Sequence, residues 1–244
     1  MLQPVRMLGT LGFVAGMVAC SGSEGTKANG AAAVPVESTT VAGAAAPADA
    51  PVRPRVLMVG TSLTAGLGLD PDSAYPAVLQ QLADSSGLSV TIVNAGLSGE
   101  TSAGALRRVE WLLQEKADAV VIETGANDGL RGVNPDSTRA NLVAIIARIR
   151  AAYPEARILL AQMEAPPNLG PSYTKAFRDV FLTVSRDQGV TLIPFFLDGV
   201  AGVAELNQPD GIHPTEEGAR RAARNMWRTL APVLREQAGR LTLP

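Results

Sequence analysis

The residues of this chain that could do chemistry include one serine after the first apolar run and the single histidine. Ser62 lies two residues after the end of the run at residues 55–60, and His213 stands three residues after Asp210. A serine hydroxyl becomes an effective nucleophile when a neighbouring base takes its proton during attack. His213 is the one imidazole that could be this base, and Asp210 could accept its second N–H and fix the tautomer. These residue types predict nucleophilic acyl transfer.

A second set of residues could supply the N–H donors that a tetrahedral oxyanion needs. The backbone N–H groups of Ser62 and Gly99 and the side-chain amide of Asn127 are the candidates. Every candidate so far has an ordinary structural alternative when taken singly. These alternatives are a helix N-cap for Ser62, a turn for Gly99, an Asx turn for Asp210, and local loop bonds for Asn127 and His213. Their joint placement on successive loops favours the catalytic interpretation.

The elements that must position these residues are indicated by five short apolar runs. Each run is rich in Val, Ile and Leu without strict polar alternation, which is typical of strands buried on both faces of a parallel sheet. The runs are residues 55–60, 90–96, 119–125, 157–163 and 190–196. Segments with a 3.6-residue apolar period lie between them, and another begins at Thr215.

This alternation predicts an α/β fold, a three-layer α/β/α sandwich around a five-stranded parallel sheet. Ligands of such sheets bind beyond the carboxyl ends of the strands. The loops that carry Ser62, Gly99, Asn127 and His213 should therefore converge at one edge of the sheet.

Composition excludes several classes of function. The 244-residue chain has a net charge of −2, which offers no basic footprint for nucleic acid. Its single cysteine rules out an internal disulfide, and its single histidine rules out a multi-histidine metal site. Asp70 and Asp72 lack the spacing of a calcium loop, so we interpret them as turn residues. We expect no metal ion and no organic cofactor.

Residues 1–20 have the layout of a secretory signal. Arg6 supplies a positive start, and the apolar run at residues 7–19 is too short to span a bilayer as a helix. Small residues precede Cys20 as in a bacterial lipobox, although Met17 stands where leucine is usual. We expect a lipid on Cys20 and a periplasmic or cell-envelope location, and Ser21 favours the outer membrane. An uncleaved anchor, or a signal cleaved elsewhere, is the alternative.

Residues 21–54 are rich in Ala, Gly, Ser, Thr and Pro and contain almost no large apolar side chains. Such a composition cannot bury enough surface to offset its ordering entropy, so it predicts a disordered linker. The remaining residues, 55–244, have the length of one domain with a single core. We expect this domain to be a monomer.

The chain resembles the SGNH (GDSL-type) hydrolases over about residues 55–236, and most closely their thioesterase, arylesterase and lysophospholipase members. The segments that carry the resemblance are residues 93–95, 98–102, 123–132, 194–196 and 210–214. The resemblance implies a flavodoxin-like SGNH fold and hydrolysis of acyl esters through an acyl-enzyme on Ser62. It also implies Gly99 and Asn127 as the oxyanion hole and Asp210 with His213 as the remaining catalytic pair.

Two further positions gain an interpretation from the resemblance. The loop at residues 162–173 is similar to an acyl-binding loop, with an ordinary surface connection as the alternative; its expected substrate contacts are Glu164, Ala165, Pro166 and Pro167. Thr61 stands where the family's first block, Gly-Asp-Ser-Leu, has an aspartate. We hypothesise that the Thr61 hydroxyl takes the structural role of that aspartate and that the pH profile differs as a result.

The favoured interpretation is a serine esterase or thioesterase for aryl esters, acyl thioesters and lysophospholipids. A carbohydrate acetylesterase of the same fold is the alternative within the enzymes. A flavodoxin-like binding module would use the loop after the first strand for phosphate, but it gives Asp210 and His213 no role. Aromatic residues make up only 4% of the chain, which leaves few to hold a flavin. A lipid-anchored binding protein without catalysis is a third class.

Overall fold

The computed structural model describes the backbone of residues 53–241 and the side chains of residues 53–237. The predicted signal segment with Cys20, and the predicted linker up to residue 52, lie outside these described residues. Within the described part, no helix is both long enough and apolar enough to cross a membrane. The same part holds no group of three or more His, Cys, Asp or Glu side chains that could bind a metal ion.

Five parallel strands form a single sheet, as the apolar runs predicted. They are β1 (Arg55–Gly60), β2 (Thr91–Gly96), β3 (Ala119–Glu123), β4 (Arg157–Ala161) and β5 (Thr191–Ile193). Their order across the sheet is β2-β1-β3-β4-β5. In the register, Gly60 at the end of β1 lies beside Gly96 on one side and Glu123 on the other. The ends of the first three strands therefore meet at one edge.

Seven helices occur among the described residues. They are α1 (Ser62–Ala65), α2 (Tyr75–Ser85), α3 (Ser102–Leu112), α4 (Ala126–Leu130), α5 (Pro135–Ala152), α6 (Pro171–Gln188) and α7 (Glu216–Leu241). Helix α2 packs on α7, while α5 packs on both α3 and α6. The long helices thus form two layers that cover the sheet, and the predicted three-layer α/β/α sandwich is confirmed.

Burial differs between the centre and the edges of the sheet. The central strands β1, β3 and β4 are buried almost throughout, as residues with helices on both sides should be. The edge strand β2 has only exposed and half-buried residues, and most of β5 is accessible too. The expectation that all five strands are buried on both faces was wrong for these two, because an edge strand lacks a neighbour on one side.

The last three strands end earlier than the apolar runs predicted. Gly125 has a φ of +103°, which a β-strand does not accommodate, and Pro194 has no N–H to donate to a ladder. Residues 124–125, 162–163 and 194–196 therefore belong to the loops at the carboxyl edge. Helix α6 also begins inside the predicted acyl-binding loop, because Pro171 suits the first turn of a helix.

Candidate active site

The structure brings the hydroxyl, the imidazole and the carboxylate predicted from the sequence into one hydrogen-bonded series. The Oγ of Ser62 lies 2.8 Å from Nε2 of His213. The other ring nitrogen, Nδ1, lies 2.6 Å from Oδ2 of Asp210. Ser62 comes from the end of β1 and His213 from the loop before α7, so the contact joins residues 151 positions apart. This geometry allows proton transfer from the hydroxyl to the imidazole.

Ser62 is the first residue of the four-residue helix α1 and not its N-cap. Thr61 occupies the cap position with extended backbone angles, φ −99° and ψ −152°, and its side chain makes no capping bond. Gly66 ends the helix in the left-handed conformation. This tight turn holds Ser62 in a largely buried position directly beyond β1.

Asp210 is held by its own turn as well as by the imidazole. Its Oδ1 accepts hydrogen bonds from the backbone N–H groups of Ile212 and His213, at 2.9 and 3.0 Å. The backbone N–H of His213 contributes most to a pKa of Asp210 lowered to about 2, followed by the His213 side chain and the N–H of Ile212. The Asx turn considered as an alternative is therefore present, and it fixes the carboxylate that faces the imidazole.

Besides Ser62, the predicted oxyanion residues are Gly99, in the loop after β2, and Asn127, in the first turn of α4 after β3. Gly99 has a φ of +78°, a conformation that favours glycine, and its carbonyl accepts a bond from Arg131 Nη2 at 3.1 Å. The side-chain amide of Asn127 donates to the carbonyl of Glu100 at 3.0 Å. A primary amide carries two N–H donors, so this bond leaves the second one available to a ligand of the groove that Asn127 lines.

An ion pair that the sequence did not predict fixes the loop that carries Gly99. The guanidinium of Arg108 makes two bonds of 2.6 Å to the buried carboxylate of Glu100. Its Nη2 also donates to the carbonyls of Ala95, at 2.8 Å, and Gly60, at 3.3 Å. Arg108 therefore connects the ends of β1 and β2 with the loop that carries Gly99.

A groove of about 720 Å³ opens beside Ser62 and His213. All four predicted substrate-contact residues, 164–167, line it, although the carboxylate of Glu164 is paired with Arg178 at 2.7 Å. Most of the lining is apolar, and these side chains were not predicted as contacts: Leu63, Leu67, Leu130, Met163, Phe195, Leu197 and Ile212. Leu67, Leu130 and Ile212 are 42–47% exposed. Apolar side chains exposed together in a groove mark a binding site for an apolar group.

A serine hydroxyl, an imidazole and a carboxylate in series, on the carboxyl-edge loops of an α/β sandwich, define the class of serine hydrolases. A family model described as GDSL-like lipase/acylhydrolase matches residues 58–221. The chain belongs to this family.

Relatives of known name agree with this assignment. The chain is 44% identical to the esterase TesA of Pseudomonas aeruginosa over 180 residues, which cover 73% of this chain and 89% of the relative. It is 36% identical to thioesterase 1/protease 1/lysophospholipase L1 of Escherichia coli, with 73% and 84% covered. The structure of the esterase EstA of Pseudoalteromonas, inhibited by monoethylphosphonate, superposes with a TM-score of 0.70 at 36% identity, and 74% of this chain and 98% of EstA are covered.

These similarities confirm the predicted fold and the predicted class of hydrolase. They do not favour the flavodoxin-like binding module or the carbohydrate acetylesterase. A family 3 carbohydrate esterase of Clostridium thermocellum shares the fold with a TM-score of 0.65, but only 22% of its residues are identical. That likeness shows the architecture and nothing about the substrate.

Proposed function

We propose that this protein hydrolyses carboxylic esters and thioesters with apolar acyl groups, through an acyl-enzyme on Ser62. The observation that carries the proposal is the apolar groove that begins at the Ser62–His213 pair. A nucleophile beside such a groove favours a substrate whose acyl chain lies in the groove while its carbonyl meets the hydroxyl.

In the first half of the reaction, Ser62 Oγ attacks the acyl carbonyl while His213 Nε2 takes its proton. The oxyanion is stabilised by the N–H groups of Ser62 and Gly99 and by the Asn127 amide. The Asp210 carboxylate, which lies 2.6 Å from Nδ1, stabilises the imidazolium that forms. His213 then protonates the leaving alcohol or thiol as the bond from it to the acyl carbon breaks.

In the second half, water attacks the acyl-enzyme. His213 takes one proton from this water and returns it to Ser62 Oγ as the bond from Oγ to the acyl carbon breaks. The products are a carboxylic acid and an alcohol or thiol, and the enzyme regains its starting form. Aryl esters, acyl thioesters and lysophospholipids all have a leaving group suited to this cycle.

The groove makes a quantitative prediction about chain length. Burial of one methylene contributes about 0.8 kcal/mol, so kcat/KM should rise by up to about fourfold for each carbon added until the groove is filled. A panel of p-nitrophenyl esters from acetate to decanoate measures this. We expect a preference for acyl chains of six or more carbons, whereas a preference for acetate would support the carbohydrate acetylesterase instead.

A matched pair of variants distinguishes acyl binding in the groove from a general effect of replacing an exposed leucine. Leu130→Ser removes an apolar side chain that is 42% exposed at the groove, and Leu182→Ser removes one that is 40% exposed on α6 and does not line the groove. Leu130→Ser should weaken the chain-length dependence, and Leu182→Ser should leave it unchanged. Equal effects of the two variants would contradict a role of the groove in acyl binding.

We also propose that Cys20 is the site of lipidation that holds the domain at a bacterial envelope membrane. The proposal rests on the signal-like residues 1–19 and on the small residues before Cys20. Two or more acyl chains at about 0.8 kcal/mol per buried methylene hold a protein firmly on a membrane. The test is incorporation of an alkyne fatty acid in the bacterial host. Wild type should be labelled and Cys20→Ser should not, while label that persists in Cys20→Ser would refute the proposal.

A further inference from the structure

A fully buried carboxylate lies directly behind the residue proposed as the nucleophile. Glu123 ends β3 and has no exposed surface. Its carboxylate accepts the backbone N–H of Thr61 at 3.0 Å, the hydroxyl of Thr61 at 3.0 Å and the hydroxyl of Thr64 at 2.6 Å. The two threonines stand before and after Ser62, so one carboxylate accepts hydrogen bonds from the chain on both sides of the nucleophile.

The absence of a side chain at Gly60 leaves room for the hydrogen bonds between Glu123 and Thr64. Gly60 is the partner of Glu123 in the register between β1 and β3. A Cβ atom at position 60 would lie 1.8 Å from Thr64 Oγ1 and 2.7 Å from Glu123 Oε2. Both distances are too short for real atoms, so any residue other than glycine would displace the carboxylate or the threonine. Gly60 is therefore a requirement of the contact.

The protons of the network have a single consistent arrangement when Glu123 is ionised. Thr64 Oγ1 lies 2.6 Å from the hydroxyl of Tyr75, and either atom could donate. A threonine hydroxyl has only one proton, and Thr64 gives it to Glu123. Tyr75 must then donate to Thr64, which orders the series from Tyr75 through Thr64 to Glu123. Protonation of Glu123 places a fourth proton among the same oxygens, and the arrangement is then no longer unique.

The charge of Glu123 has no neutralising cation in the contacts that the structure describes around it. Burial is the largest cause that raises the pKa of Glu123 to about 7, against the lowering effect of the threonine bonds. Burial, and next the charge of Glu123, also raise the pKa of Tyr75 well above its usual value, which keeps its hydroxyl protonated. Charged groups of nearby elements bind elsewhere: Arg108 binds Glu100, Asp128 accepts from Ser102 and Thr138, and His213 binds Asp210 and Ser62.

An isolated buried anion lowers stability, and an apolar residue of similar volume would cost less. A carboxylate that is buried beside the nucleophile despite this cost indicates a role in the site. The ψ angle of Thr61 sets the direction of the next peptide N–H, which is the Ser62 donor to the oxyanion. Bonds that fix both the backbone and the side chain of Thr61 therefore fix that donor and the start of α1.

We propose that ionised Glu123 is a positioning residue of the active site, which holds Thr61 and Thr64 so that the hydroxyl and the backbone N–H of Ser62 keep their reactive orientation. This inference rests on the proposed function of Ser62. The carboxylate touches no reacting atom; it acts through the two threonines. Thr61 has the matching role, because its hydroxyl gives Glu123 a donor.

The test is Glu123→Gln in the full chain, with kcat and KM measured from pH 5 to 9 on a p-nitrophenyl ester. An amide of the same shape has one acceptor oxygen fewer and turns an N–H toward donors that need an acceptor. We expect kcat to fall at least tenfold with KM within threefold of wild type. In wild type, protonation of Glu123 should lower kcat on the acid side of the profile, and this step should be absent from the variant.

A second pair of variants keeps the test decisive if Glu123→Gln does not fold. Thr61→Ser retains the hydroxyl and should keep kcat within twofold, while Thr61→Val should lower it at least threefold. The proposal is overturned by a folded Glu123→Gln with kcat within threefold and the wild-type pH profile, or by equal kcat values in Thr61→Ser and Thr61→Val. Ser62→Ala separates the two claims, because an active Ser62→Ala refutes the proposed function itself, whatever Glu123 does.

Discussion

The replacement of Asp210 by asparagine tests whether the carboxylate fixes the tautomer of His213 that Ser62 needs. In the native turn, Oδ1 accepts two backbone N–H groups and Oδ2 faces Nδ1 of His213. An asparagine that keeps the two backbone bonds must turn its NH₂ group toward Nδ1. Nδ1 then has to accept, which puts the ring proton on Nε2, where the Ser62 hydroxyl needs an acceptor. Asp210→Asn therefore locks the wrong tautomer.

The loss of kcat expected for each Asp210 variant follows from two free-energy contributions. The Asp210 side chain is 46% exposed, so its attraction for an imidazolium about 4 Å away lies between the values for water and for a protein surface, at about 2 kcal/mol. Asp210→Ala should therefore lose about 30-fold in kcat. An asparagine that turns over to correct the tautomer loses two backbone bonds of about 1 kcal/mol each. Asp210→Asn should therefore lose about a further 30-fold, or about a thousandfold in all.

Steady-state kcat/KM on p-nitrophenyl hexanoate compares the two variants with Asp136→Asn as the control. Asp136 is an exposed residue in the first turn of α5, and its replacement should leave the activity unchanged. The order of activities should be Asp136→Asn, then Asp210→Ala, then Asp210→Asn. An Asp210→Asn variant that is more active than Asp210→Ala would refute the tautomer argument.

Three further predictions concern groups around the nucleophile. Because the pKa of Glu123 is raised to about 7 in the folded protein, its contribution to the free energy of unfolding is fully present below about pH 4.5 and is lost as pH rises to about 7. The free energy of unfolding should fall by about 3 kcal/mol over this range. Urea titrations at pH 5 and pH 8 should show this fall in wild type relative to Glu123→Gln, and no such difference if the carboxylate is not buried. Arg108→Met leaves Glu100 buried without its cation and should lower the free energy of unfolding by about 3 kcal/mol, whereas no change in a urea titration would mean that the pair contributes nothing. Thr61→Asp places a second carboxylate beside Glu123 and should not raise kcat at neutral pH; a tenfold rise would contradict the structural role assigned to Thr61.

The sequence predicted the parts of the site that follow from local patterns and strand order. Ser62 lies two residues after an apolar run, and His213 precedes a periodic helical segment. Once the runs are assigned to one parallel sheet, the loops must meet at its carboxyl edge. The contact between Ser62 and His213 is a consequence of that topology, which is why it could be predicted without coordinates.

The residues that the sequence did not reveal depend on contacts between distant segments. Glu123 lies within an apolar run, and nothing around it in the sequence indicates that Thr61 and Thr64 supply its donors. The groove combines side chains from several loops, and Leu67 and Ile212 are ordinary surface residues when each is considered alone. The end of β4 was misplaced for a related reason, since Met163 follows Ala161 closely in the sequence but lies in a loop that lines the groove.

Covalent labelling with an ethyl fluorophosphonate shows whether Ser62 is the nucleophile that His213 activates. The reagent leaves a stable adduct on an activated serine, and mass spectrometry of the digested protein locates it. One adduct per chain should lie on the peptide that contains Ser62, Ser137→Ala should label like wild type, and His213→Ala should label at least a thousandfold more slowly. An adduct on another serine, or labelling of His213→Ala at the wild-type rate, would contradict the roles assigned to Ser62 and His213.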